Sequence, residues 1–118
     1  VENQFIKAWG GLPGALIKWF LKAVGEPGIC QMMNNFQERD AWAKTAIATY
    51  DGVDEPNFYT GIVYGKIADQ PSGSGGFGWD QVFIPNGAVK TFGEMSGPEK
   101  DQYSMRRQAI TLLMQSFV

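Results

Sequence analysis

The sequence contains no histidine and a single cysteine, and these two scarcities exclude more chemistry than any of its averages. Without histidine there is no Ser-His-Asp or Cys-His nucleophilic machinery and no His-ligated metal. With Cys30 alone there is no intrachain disulfide and no thiolate zinc cage. Cys30 lies in an apolar stretch, Ile29-Cys30-Gln31-Met32-Met33, with no base beside it, and reads as a buried structural thiol. A chain that leans so little on disulfides suits a reducing compartment, so a cytoplasmic location is expected. Concentrated positive charge is scarce too. Ten Lys and Arg stand against twelve Asp and Glu for a net charge of −2, and the densest basic cluster is Arg106-Arg107. General nucleic-acid binding needs a clustered basic surface that this pattern does not supply. Long apolar runs are missing as well: the most apolar window, Ala15 to Val24, is interrupted by Lys18 and Lys22 and is too short to span a bilayer.

What is present suffices for a core. Hydrophobic residues make up 44% of the 118 and aromatics 14%, too rich for disorder and enough for one domain. Pro13 to Val24 carries Leu16, Ile17, Phe20 and Val24 at helical spacing, and Gly25 supplies a stop. A short helix is expected after Pro27, turning Ile29, Met32 and Met33 to the core. Ala41 to Tyr50 and Phe58 to Ile67 are rich in Thr, Ile, Val, Trp and Tyr and predict an antiparallel pair of strands. Gly61 and Gly65 fall on one face of the second strand, where something must pack closely. A glycine-rich loop over residues 69–78 leads to a short strand, Gln81 to Ile84. Ser96-Gly97-Pro98-Glu99 is a capping box, predicting a helix to the C-terminus with Tyr103, Ile110, Leu113 and Phe117 as its buried stripe. Helices, then strands, then a helix suggest α+β, or part of a larger α/β unit.

Three segments invite a functional reading. The glycines of residues 73–78 lack the Gly-Lys-Ser/Thr entry to a helix that a phosphate loop requires, and fit a flexible hairpin loop. Phe77-Gly78-Trp79-Asp80 sets two aromatics beside a carboxylate. The group suits a stacked nucleobase whose ring N–H needs an acceptor, or simply a strand start that buries Phe and Trp. Lys100, Ser104 and Arg106 converge on the first turns of the last helix, either to hold a base edge or phosphate or as a solvated face.

Read in order, Gly10-Gly11-Leu12-Pro13-Gly14, Ile17-Lys18-Trp19-Phe20-Leu21, Gly76-Phe77-Gly78-Trp79-Asp80, Thr91-Phe92-Gly93-Glu94-Met95, Glu99-Lys100, Ser104 and Arg106 resemble the inosine-triphosphate pyrophosphatase family. The resemblance implies a mixed, largely antiparallel sheet flanked by helices, as in the C-terminal part of that α/β fold. It also implies Mg²⁺-dependent hydrolysis of deaminated purine nucleoside triphosphates (ITP, dITP, XTP) to monophosphate and pyrophosphate, by a homodimer. On that resemblance Phe77 and Trp79 wall the purine, Asp80 reads its edge, and Lys100, Ser104 and Arg106 complete the pocket. A hypoxanthine ring carries a 6-oxo acceptor where adenine carries an amine, so donors are what discrimination needs.

The departures are specific. The family's triphosphate-gripping Gly-Asn-Lys loop and first metal acid have no counterpart in these residues. In the family's Val-Glu-Asp-like stretch this chain has Val1-Glu2-Asn3, placing Asn3 near the catalytic Asp, and Asn neither acts as a base nor binds Mg²⁺ well. The family's Ser-His-Arg is here Ser104-Met105-Arg106, and Met105 offers the base only a thioether and apolar contact. The expectation is a single domain, residues 1–118, lacking the family's N-terminal part. It is expected to bind purine nucleotides, to hydrolyse them little or not at all alone, and to associate as a homodimer, a larger oligomer or with a chain that supplies the rest. The alternative is a catalytically silent nucleotide-binding or dimerisation module.

Overall fold

A computed structural model describes residues 2–75 and 78–117. The alternating Thr/Ile/Val/aromatic run folds as read: β3 (Asp40–Thr49) pairs antiparallel with β4 (Asn57–Ile67), from Asp40 opposite Lys66 to Thr49 opposite Asn57. Asp51 shapes the connection, its Oδ1 accepting the backbone N–H groups of Val53 at 2.8 Å and Asp54 at 2.9 Å. Two strands escaped the sequence reading. β1 (Glu2–Ile6) lies along β3, and β2 (Pro13–Gly14) pairs with β1. With β5 (Phe83–Pro85) on the far side of β4, the sheet runs β2-β1-β3-β4-β5, and each of these pairings is antiparallel.

Because Pro13 and Gly14 are taken up by that pairing, the first helix begins later than expected. α1 spans Ile17–Met32 and bends at Gly25, whose φ of 68° and ψ of 175° interrupt the helical run where the sequence placed a stop. Ile17, Ile29, Cys30 and Met33 are buried, whereas Leu16, Val24 and Met32 stay exposed. The Met32 expectation is therefore corrected: Ile29 and Met33 stand four apart on the inward face, and Met32 falls beside it. Cys30 is buried as expected, and burial pushes its thiol above the usual value.

The C-terminal segment departs further. The capping box forms, with Ser96 Oγ accepting the Glu99 N–H and Glu99 Oε1 accepting the Ser96 N–H, both at 3.3 Å. The helix it starts ends early. α2 (Gly97–Tyr103) stops at Ser104, which is extended at φ −69° and ψ 127°, and α3 (Met105–Gln115) starts anew with Ser104 Oγ accepting the Arg107 N–H at 3.3 Å. That break resets the helical phase. Met105 and Ala109, four apart, become the buried residues of α3, while Ile110 and Phe117 are exposed, the latter by 80%. Of the expected stripe, Tyr103 packs against the core and Leu113 is half-buried, whereas Ile110 and Phe117 are not on the core face.

The core lies on one side of the sheet, where Ile6, Ala41, Ala43, Val63 and Ile67 meet Ile17, Ile29, Met33, Phe83, Phe92 and Met105. Gly61 and Gly65 point to this side and admit close neighbours, as their spacing implied. A Cβ on Gly65 would overlap the Ile84 carbonyl oxygen, and one on Gly61 would overlap that of Met105. On the other side Phe5 stacks on Trp42 with ring centroids 5.3 Å apart, and Phe58, Ile62 and Tyr64 are exposed.

Candidate functional site

The glycine-rich loop is pinned where it is described. The Ser72 N–H donates to the Gln81 carbonyl at 2.9 Å, the Thr91 hydroxyl donates to the Ser72 carbonyl at 2.7 Å, and the Gly75 N–H donates to the Gly93 carbonyl at 2.9 Å. Gly73, at φ +94°, lies against the backbone of Gly93 with no room for a Cβ. The Gly93 N–H in turn donates to the Asp80 carbonyl at 2.8 Å. Loop and 3₁₀ turn (Phe92–Glu94) thus form one scaffold that fixes residues 79 and 80. Phe77 lies outside the described residues.

Trp79 is almost wholly buried, edge-on to Phe83 at 5.5 Å and tilted against Phe92 at 6.3 Å. Packing claims one side of the indole, and the rest forms, with Glu2, Ile17, Leu21 and Gly78, the wall of a groove of about 480 Å³ whose edge carries Lys18 and Lys22. Behind Trp79 the buried Asp80 carboxylate accepts from Lys100 Nζ at 2.6 Å, and that ammonium also lies 5.5 Å from the Phe92 ring centroid.

Lys100 and Ser104 do not share one continuous helix, because α2 ends between them. They still converge: Glu2, Lys100, Asp101, Ser104, Met105 and Arg106 line a cavity of about 130 Å³. Met105 is 2% exposed and packs mainly in the core, with its backbone against Gly61. Arg106 pairs with Glu2, the residue the sequence reading passed over. Strand alternation was the available signal. Glu2, Gln4 and Ile6 face the core side, opposite Thr45, Ala43 and Ala41, while Asn3, opposite Lys44, faces the other way. Of the Glu2-Asn3 pair, the structure brings Glu2 to the cavity and sets Asn3 on the reverse of the sheet.

The residues present do not fit Mg²⁺. The acids lining the cavity each face a cation, Glu2 with Arg106 and Asp101 with Arg107 at 3.7 Å, and neighbouring Asp80 is held by Lys100. Among the described residues no three of Asp, Glu, His and Cys cluster as a metal site. Mg²⁺ is held in near-octahedral oxygen by carboxylates together with waters and substrate phosphates, and carboxylates already paired with cations are poor ligands for it.

The described residues thus form an antiparallel sheet with the core and its helices on one side, and Trp79, Asp80 and Lys100 stand together beside that core. The chain belongs to the Ham1 family, whose pattern it matches over residues 4–116. It is 42% identical over 109 residues to a dITP/XTP pyrophosphatase of Thermococcus kodakarensis, covering 92% of this chain and 58% of that protein. An inosine triphosphate pyrophosphatase 1 of Trypanosoma cruzi is 40% identical over 112 residues, covering 93% of this chain and 57% of the relative. Among solved structures, the Ham1 protein of Staphylococcus aureus superposes with a TM-score of 0.78 at 29% identity, over 98% of this chain and 62% of the other. A HAM1 protein from Coxiella burnetii reaches a TM-score of 0.87 at 24% identity, over 98% and 64%, and speaks for the fold alone. The chain thus spans about three fifths of these relatives.

Proposed function

We propose that this chain binds 6-oxopurine nucleotides, the class that includes the dITP and XTP named for its relatives, and does not hydrolyse them alone. One observation carries the reading: a buried carboxylate, Asp80, fixed 2.6 Å from an ammonium, Lys100, at the edge of the cavity that Ser104 and Arg106 line. A hypoxanthine edge presents an N1–H donor next to a 6-oxo acceptor, and an acid beside an ammonium is its complement. Adenine presents the reverse pattern and, seated in the same orientation, would leave both groups unmatched. Trp79 supplies an apolar wall, and Phe77 is proposed as the second on sequence grounds. Met105, turned to the core, supports the turn more than it touches the base.

The other half of the reading is catalytic silence. Pyrophosphate release requires charge stabilisation around the phosphates, and the acids here are committed to ion pairs. The phosphate-gripping and Mg²⁺-binding groups are proposed to come from outside these 118 residues, from another part of the family's fold or another chain. Steady-state assay of the purified chain with ITP and Mg²⁺ tests this: turnover at the background rate is expected, and enzyme-like turnover abolished by EDTA overturns it.

Self-association belongs to the same proposal. Phe58, Ile62 and Tyr64 are exposed beside the Phe5–Trp42 stack on the reverse of the sheet, an apolar surface that a second copy would cover. Light scattering should report a dimer or larger species, and a monomer overturns this part.

A further inference from the structure

The Ser104–Arg106 turn is held against the sheet by two residues outside the cavity. β5 pairs with β4 only at Gly65, Lys66 and Ile67, so the earlier part of β4 has an edge without a strand partner among the described residues. There the Ile62 N–H donates to Gln108 Oε1 at 3.1 Å, a bond between residues 46 apart in the chain. One position earlier, Gly61 lies directly under the first turn of α3. A Cβ at 61 would overlap the Met105 carbonyl oxygen and stand 2.8 Å from Gln108 Cβ. The close approach and the hydrogen bond therefore act on the same turn from the same strand. Ser104, which caps α3, and Arg106, which pairs with Glu2, are the cavity residues that this turn carries.

We propose that Gly61 and Gln108 are positioning residues for the nucleotide site: they clamp the first turn of α3 onto β4 and thereby set where Ser104 and Arg106 stand. The inference rests on the nucleotide reading above. Gly61 works by having no side chain, because the obstacle to any Cβ is backbone, which cannot rotate aside. Gln108 works by satisfying an edge N–H that would otherwise turn to water, and so fixes the register of helix on strand. Neither touches the cavity.

The test uses the whole chain, with inosine monophosphate as the probe in calorimetry and amide hydrogen exchange as a ligand-free readout. Gln108→Leu should weaken binding about tenfold, the scale of one lost hydrogen bond, with the thermal midpoint lowered by only a few degrees and the chain still folded. It should also speed amide exchange across residues 104–108. Gln108→Glu keeps an acceptor and should restore both. Gly61→Ala should abolish binding, and if that variant does not fold, the Gln108 pair still decides. Unchanged affinity and exchange in Gln108→Leu overturn the clamp. If the parent binds no inosine monophosphate, the nucleotide reading fails. The clamp itself is then judged by exchange alone, faster in Gln108→Leu and restored in Gln108→Glu, or overturned.

Discussion

Glu2 and Arg106 stand 104 positions apart in the sequence and pair side chain to side chain, joining the first strand to the last helix at the edge of the cavity. The arginine side chain is half exposed and the glutamate about one fifth exposed, so solvent screens the pair. Its contribution to folding should be at most about 1 kcal/mol. Its larger effect is on charge, because the carboxylate offsets positive charge that Arg106 brings to the cavity.

Glu2→Gln should therefore leave the denaturation midpoint almost unchanged while tightening inosine monophosphate by about threefold at low salt, an advantage that added salt removes. Calorimetry at two salt concentrations reads it. Weaker binding in the variant would mean that Glu2 orients Arg106 more than it neutralises it.

The start of α2 gives the chain an acid-sensitive joint. Glu99 is held below the usual glutamate value of 4.5 chiefly by the Ser96 N–H, then by Lys90 at 3.2 Å. A carboxyl depressed in the folded state stabilises it above that usual value, and the contribution is lost as pH falls through the lower folded value. Stability should thus decline from about pH 5 downward. In Glu99→Gln the decline should be shallower, from a lower plateau at neutral pH. Parallel pH–stability curves for the two proteins would show that the cap carries no such linkage.

Much of this was legible in the sequence because it is local. The β3–β4 hairpin announces itself by β-branched and aromatic residues on either side of a polar turn, Gly25 marks the bend in α1, and Ser96 with Glu99 marks the start of α2. What was missed depends on distant partners. Glu2–Ile6 has a polar face and becomes a strand only because β3, some forty residues on, pairs with it. The break at Ser104 interrupts a run whose helical spacing continues on both sides, and only its role as a cap, a recognised habit of serine, hinted at it. The site divides in the same way. Asp80 and Lys100 were legible through the family motif and the structure pairs them, whereas Glu2 is set by strand alternation and Gly61 by the approach of a helix from the far end of the chain.

The central claim is that the Asp80–Lys100 corner recognises a 6-oxopurine. Calorimetric titration of the chain with inosine monophosphate and, separately, adenosine monophosphate tests it most directly, with Lys100→Ala alongside. Inosine monophosphate should bind at least about tenfold more tightly than adenosine monophosphate, and Lys100→Ala should erase that preference. Equal affinity for the two nucleotides, or a preference that survives Lys100→Ala, would contradict it.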